Sequence, residues 1–317
     1  ASFLIIMFSF LIPLSVDIDN QIASNNDSKI NNSKKNFEKV LSGESVDDKE
    51  KVDEGLDLSN ILEDVFKFDE LPENTVRLSA STIEQLFKDT NYSLSEVRKT
   101  KKVKPIRLSL LPNEMKSIEN SGKRKSLFIK IILPLVLEEN NRIIIDRKKL
   151  FSILNKNKNS KDEITWLNQK FKQYGVLNKD LATLKVRMDI IPVSLAIAQA
   201  AKETGWGTSR FAIEGNALFG QWTWSGEGIK PAGADTNATY KVMKFNVLKA
   251  SVRAYQRNLN THSSYKKFRF IRAQLRDDNK KLDSLKLAEY LNNYAQTGTE
   301  YTKVLKQIIQ QNQLKDF

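Results

Sequence analysis

The 317-residue chain contains no cysteine and a single histidine, His262. With no thiol there is no disulfide framework, no thiolate zinc site and no cysteine nucleophile. One histidine cannot build a His-rich metal site, and His262, in a THSSY stretch, reads as a structural hydrogen-bonding residue. The sequence also lacks a Gly-rich phosphate loop between a strand and a helix, an HExxH pair and a CxxC pair. Nucleotide and zinc chemistry therefore have no support, and neither a metal nor a cofactor is expected.

Charge is present but unevenly spread. Residues 1–15 carry none; residues 16–75 hold 7 lysines and 16 acids, a net of −9. Of the chain's 51 basic and 38 acidic residues, that leaves 44 and 22 for the remainder, a net of +22. A basic body behind an acidic leader favours an anionic partner such as nucleic acid, anionic lipid or an acidic cell-wall polymer. Nucleic acid is the weakest of these, because the aromatics gather in one Trp-rich stretch and do not follow a basic stripe.

Phe3 to Leu14 is an apolar run, FLIIMFSFLIPL, too short for an ordinary membrane-spanning helix and suited to a signal-peptide core or a membrane anchor. Export to the periplasm, free or anchored on its periplasmic side, is the expectation. From residue 16 to 75 the composition is that of an acidic flexible linker, with one amphipathic helix foreseen over Leu58 to Leu71. A helical region is expected over residues 76–160, including a long helix from Arg124 to Asn155 with Pro134 inside it. The remaining domain spans 161–317. It contains a helix ending at Gly175, a short strand within Thr239 to Phe245, and three apolar helical stripes. Those stripes run over Leu248 to Leu259, Leu287 to Tyr294 and Tyr301 to Ile309.

The chemistry centres on SLAIAQAAKETGW, Ser194 to Trp206. Val193, Ile197, Ala200 and Ala201 share an apolar helical face, and Gly205 ends the helix. Glu203 then lies in the last turn, four residues after Gln199 and beside the Trp206 indole, where the negative helix end and the indole both disfavour ionisation. A carboxyl kept protonated near neutrality is a general acid. Downstream, Gln221 to Thr239 carries Trp222 and Trp224, suited to stacking on sugar rings or to a core.

AQAAKETGWGTSRFAIEGNALFGQWTW resembles the glucosaminidase domain of family-73 glycoside hydrolases, in the variant carried by the Bax group of bacterial proteins. LSEVRKTKKVKPIRLSLLP, RKSLFIKIILPLVLEENNRI, VRAYQRNLNTHSSYKKFR and YAQTGTEYTKVLKQIIQQN are similar to further blocks of that group, in order, over Thr82 to Gln313. The resemblance implies a mainly α (α+β) fold: a lysozyme-like helical lobe, a small β-hairpin lobe over Gln221 to Phe245, and a groove between them. It also implies that Glu203 is the catalytic acid, with Lys202 and Thr204 departing from the commoner flanking Glu and Ser. Asn216, Phe219, Gln221, Trp222 and Trp224 fall on the block leading into the groove, Tyr294 matches an aromatic near the acid, and Gln199, Trp206 and Tyr301 complete the substrate-binding set. Glu227 and Asp235 are open as the second catalytic carboxylate, alongside the substrate's own acetamido group; Glu214 is expected to pair locally. The function implied is endo-β-N-acetylglucosaminidase action on peptidoglycan glycan strands by a monomer. A lytic transglycosylase and a non-catalytic wall- or polyanion-binding protein are the alternatives.

Overall fold

The computed structural model describes residues 14–15, 58–67, 69–223, 227–233, 235 and 239–317. The apolar run Phe3 to Leu14 lies outside them except for Leu14, which with Ser15 forms strand β1 (Leu14–Ser15), paired antiparallel to β2 (Lys102–Val103). Among the described residues no helix is long and apolar enough to cross a membrane.

The body is mainly helical. Helices α1 (Leu58–Lys67), α2 (Ala80–Asp89) and α3 (Leu94–Thr100) precede α4 (Ser121–Leu154), and α5 (Lys161–Gln173) and α6 (Leu181–Arg187) follow it. Several starts are set by side-chain caps: Ser79 accepts from the Thr82 N–H, Asn120 from Lys123, and Ser160 with Glu163 forms a capping box. The second half holds α7 (Val193–Thr204), α8 (Arg210–Gly215), α9 (Leu248–Thr261), α10 (Lys266–Asp277), α11 (Ser284–Ala288) and α12 (Thr299–Gln311). Between α8 and α9 lies a small antiparallel sheet of β3 (Trp222–Thr223), β4 (Gly228–Ile229) and β5 (Lys241–Met243), ordered β3-β5-β4 with Trp222 opposite Val242. The mainly α architecture with a small β-lobe, as a lysozyme-like fold requires, is therefore present.

One hydrophobic core runs from Ile83 to Phe317 without a break between residues 76–160 and the rest. Its centre is α4, buried at every position from Leu127 to Leu137 except Lys130. Against it packs α7, whose alanines at 196, 198, 200 and 201 let neighbouring backbones approach closely. On its other side α7 meets α12.

Two features depart from the expected pattern. Within the stretch read as linker, α1 is docked on the body: Ile61, Leu62 and Val65 bury themselves on Phe245, Val247 and Ala254. Arg257 ties it down, donating to the Ile61 carbonyl and to Asp64, each at 2.9 Å. Asp69 then accepts the backbone N–H groups of Asn246 (2.8 Å) and Val247 (3.0 Å). The continuous stripe expected over Leu287 to Tyr294 is instead broken after Ala288. A 3₁₀ segment, Glu289–Tyr294, follows, with Tyr290 and Leu291 off helical angles. Its tighter winding keeps Leu291 in the core while Tyr294 reaches the Phe219 carbonyl.

Candidate active site

Glu203 is the penultimate residue of α7. The helix ends because Gly205, Trp206 and Gly207 all take left-handed backbone angles, φ +57°, +62° and +82°. Thr204 knits the turn, donating to the Ala200 carbonyl at 2.6 Å and accepting the Gly207 N–H at 2.9 Å. The half-buried Glu203 carboxyl is raised above its usual range, chiefly by burial; a hydrogen bond from Tyr301 and the charge of Lys202 pull it partly back. Trp206 is turned away onto α4, edge-to-face with Phe128 at 5.9 Å and under the Lys125 ammonium at 5.2 Å.

Tyrosines surround the carboxyl. Tyr255 from α9, Tyr265 from a short 3₁₀ turn, Tyr294 and Tyr301 all lie within electrostatic range of Glu203. Burial pushes each hydroxyl upward, Tyr265 to about 12, so all four are neutral donors at any physiological pH. Tyr294 stacks on Tyr301, with centroids 5.5 Å apart and planes 9° from parallel, and its hydroxyl donates to the Phe219 carbonyl at 2.7 Å. Tyr301 sits inside α12, at the start of the third apolar stripe. Gln199, fully buried, bridges Tyr255 and Tyr301 and so lies behind the site.

The GNALFG block supports the site mainly through backbone. Phe219 is buried with its ring stacked on Tyr255 at 3.8 Å and 8°. Asn216 is a buried left-handed cap whose amide donates to the carbonyls of Phe245 and Asn246, closing the base of the β-lobe. Gly220 was not singled out by the sequence, yet a Cβ there would stand 3.3 Å from the Glu203 Oε2, on a backbone with φ +62°. Gly220→Ala is accordingly expected to cost about 1 kcal/mol of stability and to lower turnover about tenfold or more, measured by urea melts and initial rates.

The β-lobe residues divide. Gln221 is half-buried, pairs its carbonyl with the Met243 N–H at 2.8 Å, and leaves its buried Oε1 without a partner among the described residues. Trp222 is 48% exposed and meets the exposed Tyr240 edge-to-face at 5.4 Å, an aromatic surface open to solvent. Trp224 lies outside the described residues. Exposed Glu227 lines a cavity with Phe66, Asp69, Thr223, Met243 and Lys244, and its charge helps raise the Asp69 carboxyl, behind the larger effect of burial. Glu227 thus stands where α1 meets the β-lobe, and Asp235 is exposed beyond β4. Glu214 pairs with Arg210 at 3.7 Å, and His262 caps its 3₁₀ turn by accepting the Ser264 N–H.

A family model described as mannosyl-glycoprotein endo-beta-N-acetylglucosaminidase matches residues 178–314, a span that carries Glu203 and all four tyrosines. Protein bax of Escherichia coli (strain K12) is 34% identical over 214 residues, 65% of this chain and 75% of the relative. The chain belongs to the Bax family. Its glucosaminidase domain makes it a glycosidase-type enzyme. No solved structure matches it. Within this glucosaminidase domain, sequence pattern alone pointed to Glu203 but missed Tyr255 and Tyr265. Tyr255 sits on an apolar stripe that reads as core, and only its pairing with a buried Gln199 separates it from a packing residue.

Proposed function

We propose that the protein is an exported, monomeric endo-β-N-acetylglucosaminidase of the family-73 type, hydrolysing β-1,4 bonds in peptidoglycan glycan strands, with Glu203 as general acid. The observation that carries this reading is a half-buried carboxyl, held above its usual range, at the end of the central helix of a glucosaminidase domain. Glu203 protonates the leaving glycosidic oxygen as the sugar ring takes on oxocarbenium character. The Trp222–Tyr240 surface offers ring faces for stacking, and Gln221 Oε1 an unused acceptor for a sugar hydroxyl or amide. The basic body draws the enzyme to an anionic wall polymer, and the apolar run Phe3 to Leu14 supports export. Residues 76–160 act as part of the same body, lending the catalytic helix its core.

The second half of the reaction falls to Glu227, Asp235 or the substrate's acetamido group, and the anomer formed separates a carboxylate base from acetamido participation. Inversion requires a carboxylate activating water, whereas acetamido participation gives retention. Digestion of purified peptidoglycan followed by mass spectrometry of borohydride-reduced products is expected to show new reducing N-acetylglucosamine ends. Products ending in 1,6-anhydro-muramic acid would assign a lytic transglycosylase instead. Salt-sensitive binding without cleavage would leave a non-catalytic wall-binding protein.

A further inference from the structure

Where α1 meets the β-lobe, a cavity of about 340 Å³ is lined by Phe66, Asp69, Glu227, Met243, Lys244 and Asn246, together with Thr223. Backbone contacts fix these residues against one another. Lys244 donates its N–H to the Glu227 carbonyl at 3.4 Å across the β4–β5 pair, and Asp69 Oδ1 accepts the Asn246 N–H at 2.8 Å. Three segments distant in the chain thus bring Asp69, Glu227 and Lys244 round one space.

Their charges are not matched within the protein. Asp69 is only 8% exposed; its Oδ1 takes the Asn246 and Val247 N–H groups, while its Oδ2 has no partner among the described residues. The exposed Glu227 carboxylate and Lys244 ammonium form no ion pair among the described residues either. A buried carboxylate oxygen without a donor is costly, and Glu227 adds like charge, raising the Asp69 carboxyl behind the larger effect of burial. The space therefore presents two carboxylates to a cation and one ammonium to an anion. A divalent metal does not suit that set. No group of three His, Cys, Asp or Glu is present among the described residues, and Lys244 opposes further positive charge. An α-amino acid head, with its ammonium and carboxylate on one carbon, matches both signs. An aliphatic arm behind it would lie on Met243 and on Phe66, which is 49% exposed although Leu62 and Val65 of the same helix are buried. The volume is that of a small-ligand site.

We infer that this cavity binds the zwitterionic amino-acid head of a wall peptide stem, Asp69 and Glu227 taking the ammonium and Lys244 the carboxylate. The choice of a stem rests on the proposed action on peptidoglycan; the charge set does not. β3 is an edge strand, and Thr223 faces the opposite side of it from Trp222. A glycan on the Trp222–Tyr240 surface sends its stem round that edge, and three extended residues reach about 10 Å. Acylation of the ammonium, as in a cross-linked stem, removes its charge, so the site selects stems that are not cross-linked. Glu227 is then committed to the stem, which leaves Asp235 or the acetamido group for the second half of the reaction.

The test is isothermal titration calorimetry on the full chain with the stem tripeptide L-Ala-γ-D-Glu-meso-diaminopimelate. A Kd of about 1 mM or tighter is expected, weakened about tenfold by acetylation of the distal amine and about tenfold by Glu227→Gln or Lys244→Met. Both side chains are exposed, so neither variant threatens the fold. No saturation up to about 10 mM tripeptide overturns the inference, as does equal binding of the acetylated tripeptide. Equal affinity for free diaminopimelate overturns the stem as the source of the head, and displacement of the tripeptide by calcium overturns the zwitterion. Peptidoglycan cleavage without tripeptide binding would remove the stem site and leave the hydrolase reading standing; tripeptide binding without cleavage would do the reverse.

Discussion

Glu203→Gln is expected to lose about 10³-fold in kcat on purified peptidoglycan while still binding the glycan. The amide keeps the shape of the side chain, so what disappears is the transferable proton. The same substitution should not destabilise the protein at neutral pH, and the sign follows from the titration. A carboxyl whose folded-state midpoint is raised above its unfolded value of about 4.3 opposes folding once the pH exceeds that value, because the folded state resists ionisation. Glutamine removes that opposition. The melting temperature of Glu203→Gln at pH 7 should therefore equal or exceed that of the wild type, with the two converging below about pH 4. Wild-type activity should fall as pH rises through the raised Glu203 midpoint, since the protonated form is the active one. Unimpaired hydrolysis by the variant would remove Glu203 from the mechanism.

The largest loss of stability is expected at Asp189, just ahead of α7. Its buried carboxylate accepts from Arg276 at 3.2 Å through both oxygens and stands 3.9 Å from Arg147 and from Arg272. Burial is the largest single influence and pushes its titration up, but the three arginines together outweigh it and hold it well below the usual carboxylate range. Arg147 and Arg272 are themselves buried, their Nε groups have no hydrogen-bond partner among the described residues, and both face this carboxylate. Asp189→Ala removes the carboxylate that Arg147 and Arg272 face and is expected to cost about 3–5 kcal/mol in urea unfolding at pH 7. A depressed carboxyl contributes stability that is present above its unfolded value of about 3.9 and is lost as pH falls below it. The gap between wild type and variant should therefore close toward pH 2. A loss under about 1 kcal/mol at pH 7 would show that the arginines are adequately served by the carbonyls of Lys185, Val186, Met188 and Ile190.

Local signals in the sequence made much of the frame legible. The Gly205 stop and Pro134 within a long apolar helix each act within a few residues, and each is realised. What stayed hidden depends on pairs distant in the chain. Asp64 and Asp69 read as charges in an acidic tract because their partners, Arg257 and the Asn246 and Val247 amides, lie more than 170 residues away. The same holds at the site. Glu203 was visible from its helix, whereas its tyrosines come from four separate elements. Trp206, adjacent in sequence, is aimed elsewhere by its left-handed backbone.

The position of α4 has a consequence for how the protein is made. Synthesis runs from the N-terminus, so the residues from Leu127 to Leu137 are complete long before α7 and α12, the helices of the same core, leave the ribosome. Until then only the earlier core residues, such as Phe87, Tyr92 and Met115, can cover that surface, and the part that α7 and α12 bury is exposed and prone to aggregation. A chain begun at residue 178, where the family match starts, would meet the converse problem. The alanine face of α7 would be left against water, and the helix that carries Glu203 would lack the support on which its alignment depends.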